Sequence, residues 1–159
     1  MNKKTIRTGI FAGVLLLTLN AFALTQPLSV TGYARETPPG APMSAAYLSL
    51  HNTGEQLLQL TAVELPGIDG GSVNLHTTGL EDGISRMRPL DKLVIAPGEQ
   101  LQMTPGGVHL MIHGVRLHAG VSLPLRLLFS DGTSLQVQVP VMGLKAVEKD
   151  RHRHHRSAG

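Results

Sequence analysis

An antiparallel β-sandwich or small β-barrel is the fold class that the sequence predicts, and three observations predict it. Short runs of alternating apolar and polar residues follow one another closely, as half-buried strands do. Glycine and proline, 18 and 10 of the 159 residues, fall mostly between those runs, which marks turns. No stretch holds a convincing helical period over about ten residues. The length suits one domain, and Leu, Val and Ile are plentiful enough to fill a single core.

Taken in order, LSVTGYAR (Leu28 to Arg35) alternates, and TPPGAP (Thr37 to Pro42) breaks it. MSAAYLSLHN follows and ends at a Thr53-Gly54 turn, and LLQLTAVEL runs next. Pro66 to Gly71 is a glycine-rich loop before SVNLHTT. A turn around Glu81-Asp82-Gly83 leads into ISRMRPL. KLVIAP, EQLQMTP and VHLMIHGV are further short runs, and VSLPLRLLFS and TSLQVQVPVM close the domain around an Asp131-Gly132 turn. No internal repeat is visible.

The two ends differ from this pattern. Lys3, Lys4 and Arg7 precede the apolar run GIFAGVLLLTLNAFA, and Ala21 and Ala23 form an A-x-A arrangement. That is the layout of a cleavable signal peptide over residues 1–23, cut after Ala23. The rival reading is an uncleaved anchor, but the apolar run falls short of the roughly 20 residues a spanning helix needs. No later segment is apolar enough to cross a bilayer, so the mature protein is expected to be exported without a transmembrane segment. The domain then occupies residues 24–144. Beyond it, KAVEKDRHRHHRSAG (residues 145–159) is polar, basic and His-rich, which predicts a disordered tail.

Dividing the chain also changes its charge. The formal +3 comes from the ends, because Leu24 to Leu144 holds six basic and nine acidic residues, a net of −3. Aromatic residues are 3% of the chain and Trp is absent, so the stacking, cationic surface of a nucleic-acid binder is missing. The chain has no cysteine. Thiol nucleophiles, redox pairs, thiolate zinc sites and blue-copper centres are thereby excluded. No H-E-x-x-H, nucleophile elbow or Ser-His-Asp spacing points to an enzyme.

Within GGVHLMIHGV, residues two apart share a face of the strand. Leu110 and Ile112 line an apolar face, and His109, Met111 and His113 line the other. His76 in VNLHTT and Met87 in ISRMRPL extend the set to the spacing H-x10-M-x21-H-x-M. Imidazole nitrogens and thioether sulfurs are ligands for soft Cu(I), and two of each form a neutral set suited to a monovalent ion. Such a site requires the strands to bring the four donors together at one end of the sandwich. Taken singly, each residue has a plainer reading: Met87 as packing and His76 as a surface or hydrogen-bonded histidine. Met103, within the late strands, reads as core packing, with a spare thioether near the site as the rival reading, and His51 and His118 read as strand-end or loop residues facing solvent.

The constellation resembles the H-(M)-x10-M-x21-H-x-M motif of the periplasmic PCuAC-type copper chaperones. The likeness extends through APMSAAYLSLHNTG, APGEQLQMTPGGVHLMIHGV and LPLRLLFSDGTSLQVQVPV, and covers Leu28 to Met142. The optional methionine after the first histidine is Thr77 here. The resemblance implies a cupredoxin-like Greek-key sandwich with His76, Met87, His109 and Met111 holding one Cu(I). It further implies delivery of copper, in the periplasm, toward the CuA site of cytochrome c oxidase subunit II or to an assembly factor. A copper buffer needs the same site, and a structural sandwich without metal is the reading from another class. In the tail, His152, His154 and His155 form a possible secondary metal cluster, for Cu(II) among others, with a merely solvated basic tail as its rival.

Overall fold

A computed structural model of the chain describes residues 27–145. The leader at 1–23 and all but the first residue of the tail, with His152, His154 and His155, lie outside the described residues. Every run expected as a strand is one. In chain order they are β1 (Leu28–Arg35), β2 (Met43–Asn52), β3 (Leu58–Glu64), β4 (Ser72–Glu81) and β5 (Ile84–Pro89). They continue as β6 (Leu93–Ile95), β7 (Gln100–Gln102), β8 (Val108–His113), β9 (Ser122–Phe129) and β10 (Ser134–Met142).

Hydrogen bonding joins the strands in the order β5-β4-β8-β2-β1-β10-β9-β3-β6, with β7 paired to β2 beside β8. β3 packs against β4, and β2 against β6, so this ribbon folds over itself into two layers. Pairing is antiparallel except at one seam. There β1 meets β10 in parallel over Ala34↔Val141 and Arg35↔Met142, which joins the layers at one edge. The sequence gives no signal for that parallel seam, because it is set by where the last hairpin docks and not by any local pattern.

Alternation decides what lies between the layers. Leu48 and Leu50 of β2, Leu110 and Ile112 of β8, Leu60 of β3, and Leu125 and Leu127 of β9 are wholly buried. They form one cluster with Ile95, Phe129 and Val139. Met103 joins it at 1% exposure, as its packing role predicts. Asn52 is a buried polar member and is fully used: its amide donates to the Gln56 and Ile95 carbonyls, and its Oδ1 accepts from Gly54 N–H. Those bonds set the Thr53-Gly54 turn, and they show how a buried side-chain amide is tolerated here.

The β4–β5 hairpin turns on two residues. Glu81 pairs with Ile84, leaving Asp82 (φ 52°) and Gly83 (φ 77°) as a loop with both residues in the left-handed region. This is the geometry that suits an Asp-Gly pair, because its twist matches that of the strands. Gly114, which ends β8, has φ 73°, and a Cβ there would collide with the Gly70 carbonyl. Gly114→Ala is therefore expected to lower stability by about 1–3 kcal/mol, from strain and the displaced loop together. Urea unfolding of the two proteins reads this directly, and a difference below 0.5 kcal/mol, on the order of an ordinary surface change, would refute it.

Candidate metal centre

The donors lie on the outer face of the sheet, near its β5 edge. The expected position at one end of the sandwich is thus replaced by a position on its side. Leu110 and Ile112 turn inward to the core, so the same alternation turns His109, Met111 and His113 outward. That outer face is not bare. His109 is 4% exposed and Met111 9%, so β8 is buried on both sides along its middle.

A row of rings accounts for much of the cover. Tyr33 of β1 pairs with Tyr47 of β2, their ring centroids 5.5 Å apart. Tyr47 lies 6.4 Å from the His109 ring, and His109 stacks on His76 of β4 at 6.0 Å with 21° between planes. His76 and His109 are directly opposed in the antiparallel register, which sets their Cβ atoms about 4.5–5.5 Å apart. The two tyrosines are the site residues that the sequence alone did not single out. Their signal was only a position: each has the parity of the donor face, but nothing local shows that β1 and β2 continue that face beside β8.

The histidines are poised differently. Nδ1 of His109 lies 2.9 Å from the Gly107 carbonyl oxygen. A carbonyl only accepts, so Nδ1 carries the proton and donates, and Nε2 keeps its lone pair for a ligand. Fixing one ring nitrogen on a backbone carbonyl is the usual way a metal-binding imidazole is oriented. His76 is half-buried, and its Nδ1 is buried without a hydrogen-bond partner. An unpaired buried nitrogen costs free energy, and a bound cation would satisfy it.

The two methionines flank this pair unequally. Met111 is the next outward residue on β8, opposite Asn74 of β4 and Ala45 of β2. Met87 lies on β5, opposite Thr78, one strand further out and displaced toward the hairpin. It shares the face of His76, because Pro89 is the residue opposite His76. All of β5 is exposed, and Met87 is 52% exposed. The structure thus brings His76, His109 and Met111 together and leaves Met87 on an open edge hairpin beside them. On the opposite face of that hairpin, Arg88 makes a forked pair with Glu81 at 2.6 and 2.7 Å, which pushes the Arg88 guanidinium above its ordinary range and ties the strands together.

Among the described residues, no three of His, Asp and Glu gather as a metal site. The further side-chain donors beside the two imidazoles are thioether sulfurs, which favour a soft cation over a hard one. His51 and His118 are exposed and far from this role, as expected. His113 ends the outward row of β8 opposite Met43.

A two-layer cupredoxin-like sandwich with imidazole and thioether donors on one outer face has the fold of the PCuAC domains. The copper-bound PCuAC domain of PmoF2 superposes with a TM-score of 0.59 at 17% identity, over 74% of this chain and 93% of that one. Apo-DR1885 of Deinococcus radiodurans gives 0.56 at 26% identity, over 90% and 97%. The Cu(I) form of DR1885 gives 0.58 at 27%, over 77% and 81%. Residues 29–141 match the family model described as putative lipoprotein LpqE-like, and the chain belongs to that LpqE-like family. The putative lipoprotein Lxx21020 of Leifsonia xyli subsp. xyli (strain CTCB07) is 34% identical over 107 residues. The match covers 64% of this chain and 62% of that relative, so the chain spans less than two thirds of the relative's length.

Proposed function

We propose that the protein carries one Cu(I) on His76, Met87, His109 and Met111 and passes it to a copper-accepting protein outside the cytoplasm. One observation carries the reading: two imidazoles stand opposed on neighbouring strands, one with Nε2 freed by its bond to Gly107 and the other with a buried, unpartnered Nδ1. The likeness to DR1885, a protein solved with Cu(I), supports the choice of ion. An A-x-A leader supports export to the periplasm.

The geometry suits transfer better than catalysis. Buried His109 and Met111 give a fixed half of the site, while Met87 on its exposed edge strand gives a half that an incoming ligand can replace. An acceptor thiolate is a stronger Cu(I) ligand than a thioether, so exchange one ligand at a time drives the ion toward a cysteine-bearing acceptor such as the CuA subunit of cytochrome c oxidase or an assembly factor. Direction follows the difference in affinity between the two proteins.

The test is a Cu(I) competition titration against a chromophoric chelator, with residues 24–144 used so that the His-rich tail is absent. One tight equivalent is expected, lost or much weakened in Met87→Ala/His109→Ala. No tight equivalent in the parent protein would leave a sandwich without a metal role.

A further inference from the structure

The outward row of β8 continues past Met111, and its last member is not used by the site above. His113 is directly opposite Met43 of β2 on one side and Ser72 of β4 on the other. Opposed residues of this kind have Cβ atoms about 4.5–5.5 Å apart, close enough for an imidazole and a thioether to reach one ion. Met111 has the same parity and lies diagonally across from Met43, since Ala45 is the residue opposite Met111. Met43 and Met111 together line a cavity of about 190 Å³ with Arg35, Glu36, Pro38, Ser44 and Ala45, and His113 is not in that lining but lies directly opposite Met43. Met111 is thus flanked by His109 on one side and by His113 with Met43 on the other.

We propose that Met43, Met111 and His113 form a second position for a soft monovalent cation, sharing Met111 with the first. The donors are one imidazole and two thioethers, a neutral set that prefers Cu(I) or Ag(I) to hard or divalent ions. Arg35 and Glu36 both border the cavity, so its lining carries no net formal charge. Because Met111 can serve only one ion at a time, the two positions exclude each other. An ion moves between them by exchanging His76, Met87 and His109 for His113 and Met43 while Met111 stays bound. The meaning of that step, a second way onto or off the protein at the β2 side, rests on the copper reading above. The donor set itself does not depend on it.

The experiment uses the full chain with its methionines labelled at the ε-methyl carbon, titrated with Ag(I) and followed by NMR. Ag(I) mimics Cu(I) without redox chemistry, and the tail contains no methionine to confuse the readout. In His76→Gln/His109→Gln, which removes the first position, the Met43 and Met111 methyl resonances are expected to shift together. Adding His113→Gln should abolish the Met43 shift. Met43→Leu, which keeps volume and apolar character, should abolish the Met111 shift while the remaining spectrum stays native. A Met43 methyl that stays still at saturating Ag(I), or that shifts unchanged without His113, overturns the proposal. The first site is read separately by the Met87 methyl in the parent protein. Its failure to move would sink the four-ligand reading and leave the Met43 response to stand or fall by itself.

Discussion

Replacing His109 with alanine is expected to weaken Cu(I) binding by more than about 100-fold. The losses known for residues that merely orient a metal ligand already run from about 10 to 100-fold, and His109 is placed here as a ligand itself. His109 is 4% exposed, and its ring is bonded through Nδ1 to Gly107, stacked on His76 and tilted against Tyr47. Met87→Ala should be milder, by about tenfold, because Met87 stands on an exposed edge strand and adapts to the ion after the buried donors have fixed it. A chelator competition series on the single variants measures the ranking. If Met87→Ala proved as damaging as His109→Ala, the division into a fixed half and an exchangeable half would be wrong.

Leu110→Ala should cost about 2–5 kcal/mol of folding stability. Leu110 is wholly buried and lies back to back with the donor face, between His109 and Met111 on β8. It pairs with Ala46 on one side and Leu75 on the other, so the two neighbouring strands are held in place by their own register and collapse into the void only in part. The cavity beneath β8 also loosens the strand that carries His109 and Met111. Cu(I) binding should therefore weaken in this variant, although no donor has been touched. Urea unfolding gives the first quantity and chelator competition the second. A stability loss with unchanged copper affinity would show that the donor face is held from outside, by the ring row, and not by the core.

Much of the fold was legible in the sequence for local reasons. The Asp82-Gly83 pair favours a hairpin locally, because few other pairs accept two left-handed residues in succession. Alternation in VHLMIHGV separated the core residues Leu110 and Ile112 from the donors, since a strand has no other way to point its side chains. The four-donor spacing was legible through resemblance to a family motif, not through any physical rule that H-x10-M-x21-H-x-M must converge. Residue by residue, Met103 and Met87 look alike, and burial alone distinguishes the core methionine at 1% exposure from the edge methionine at 52%.

The sequence by itself determined the strands, their turns, the two faces of each strand and the absence of thiol chemistry. These depend on backbone sterics and on residue type, and both act over a few residues at a time. Tertiary structure alone decided that β4 and β8 are neighbours in the register His76↔His109, and that Tyr33 and Tyr47 continue their row. It also decided that β1 and β10 run in parallel and that Met43 comes to face His113. Each of these joins segments distant in the chain, and a pairing of that kind is chosen by how whole faces bury their apolar area together. A one-residue slip of β8 against β4 would preserve every local preference and still turn the donors into the core. The burial of Leu110 and Ile112 forbids that slip, so the packing of the inner face places the chemistry of the outer one.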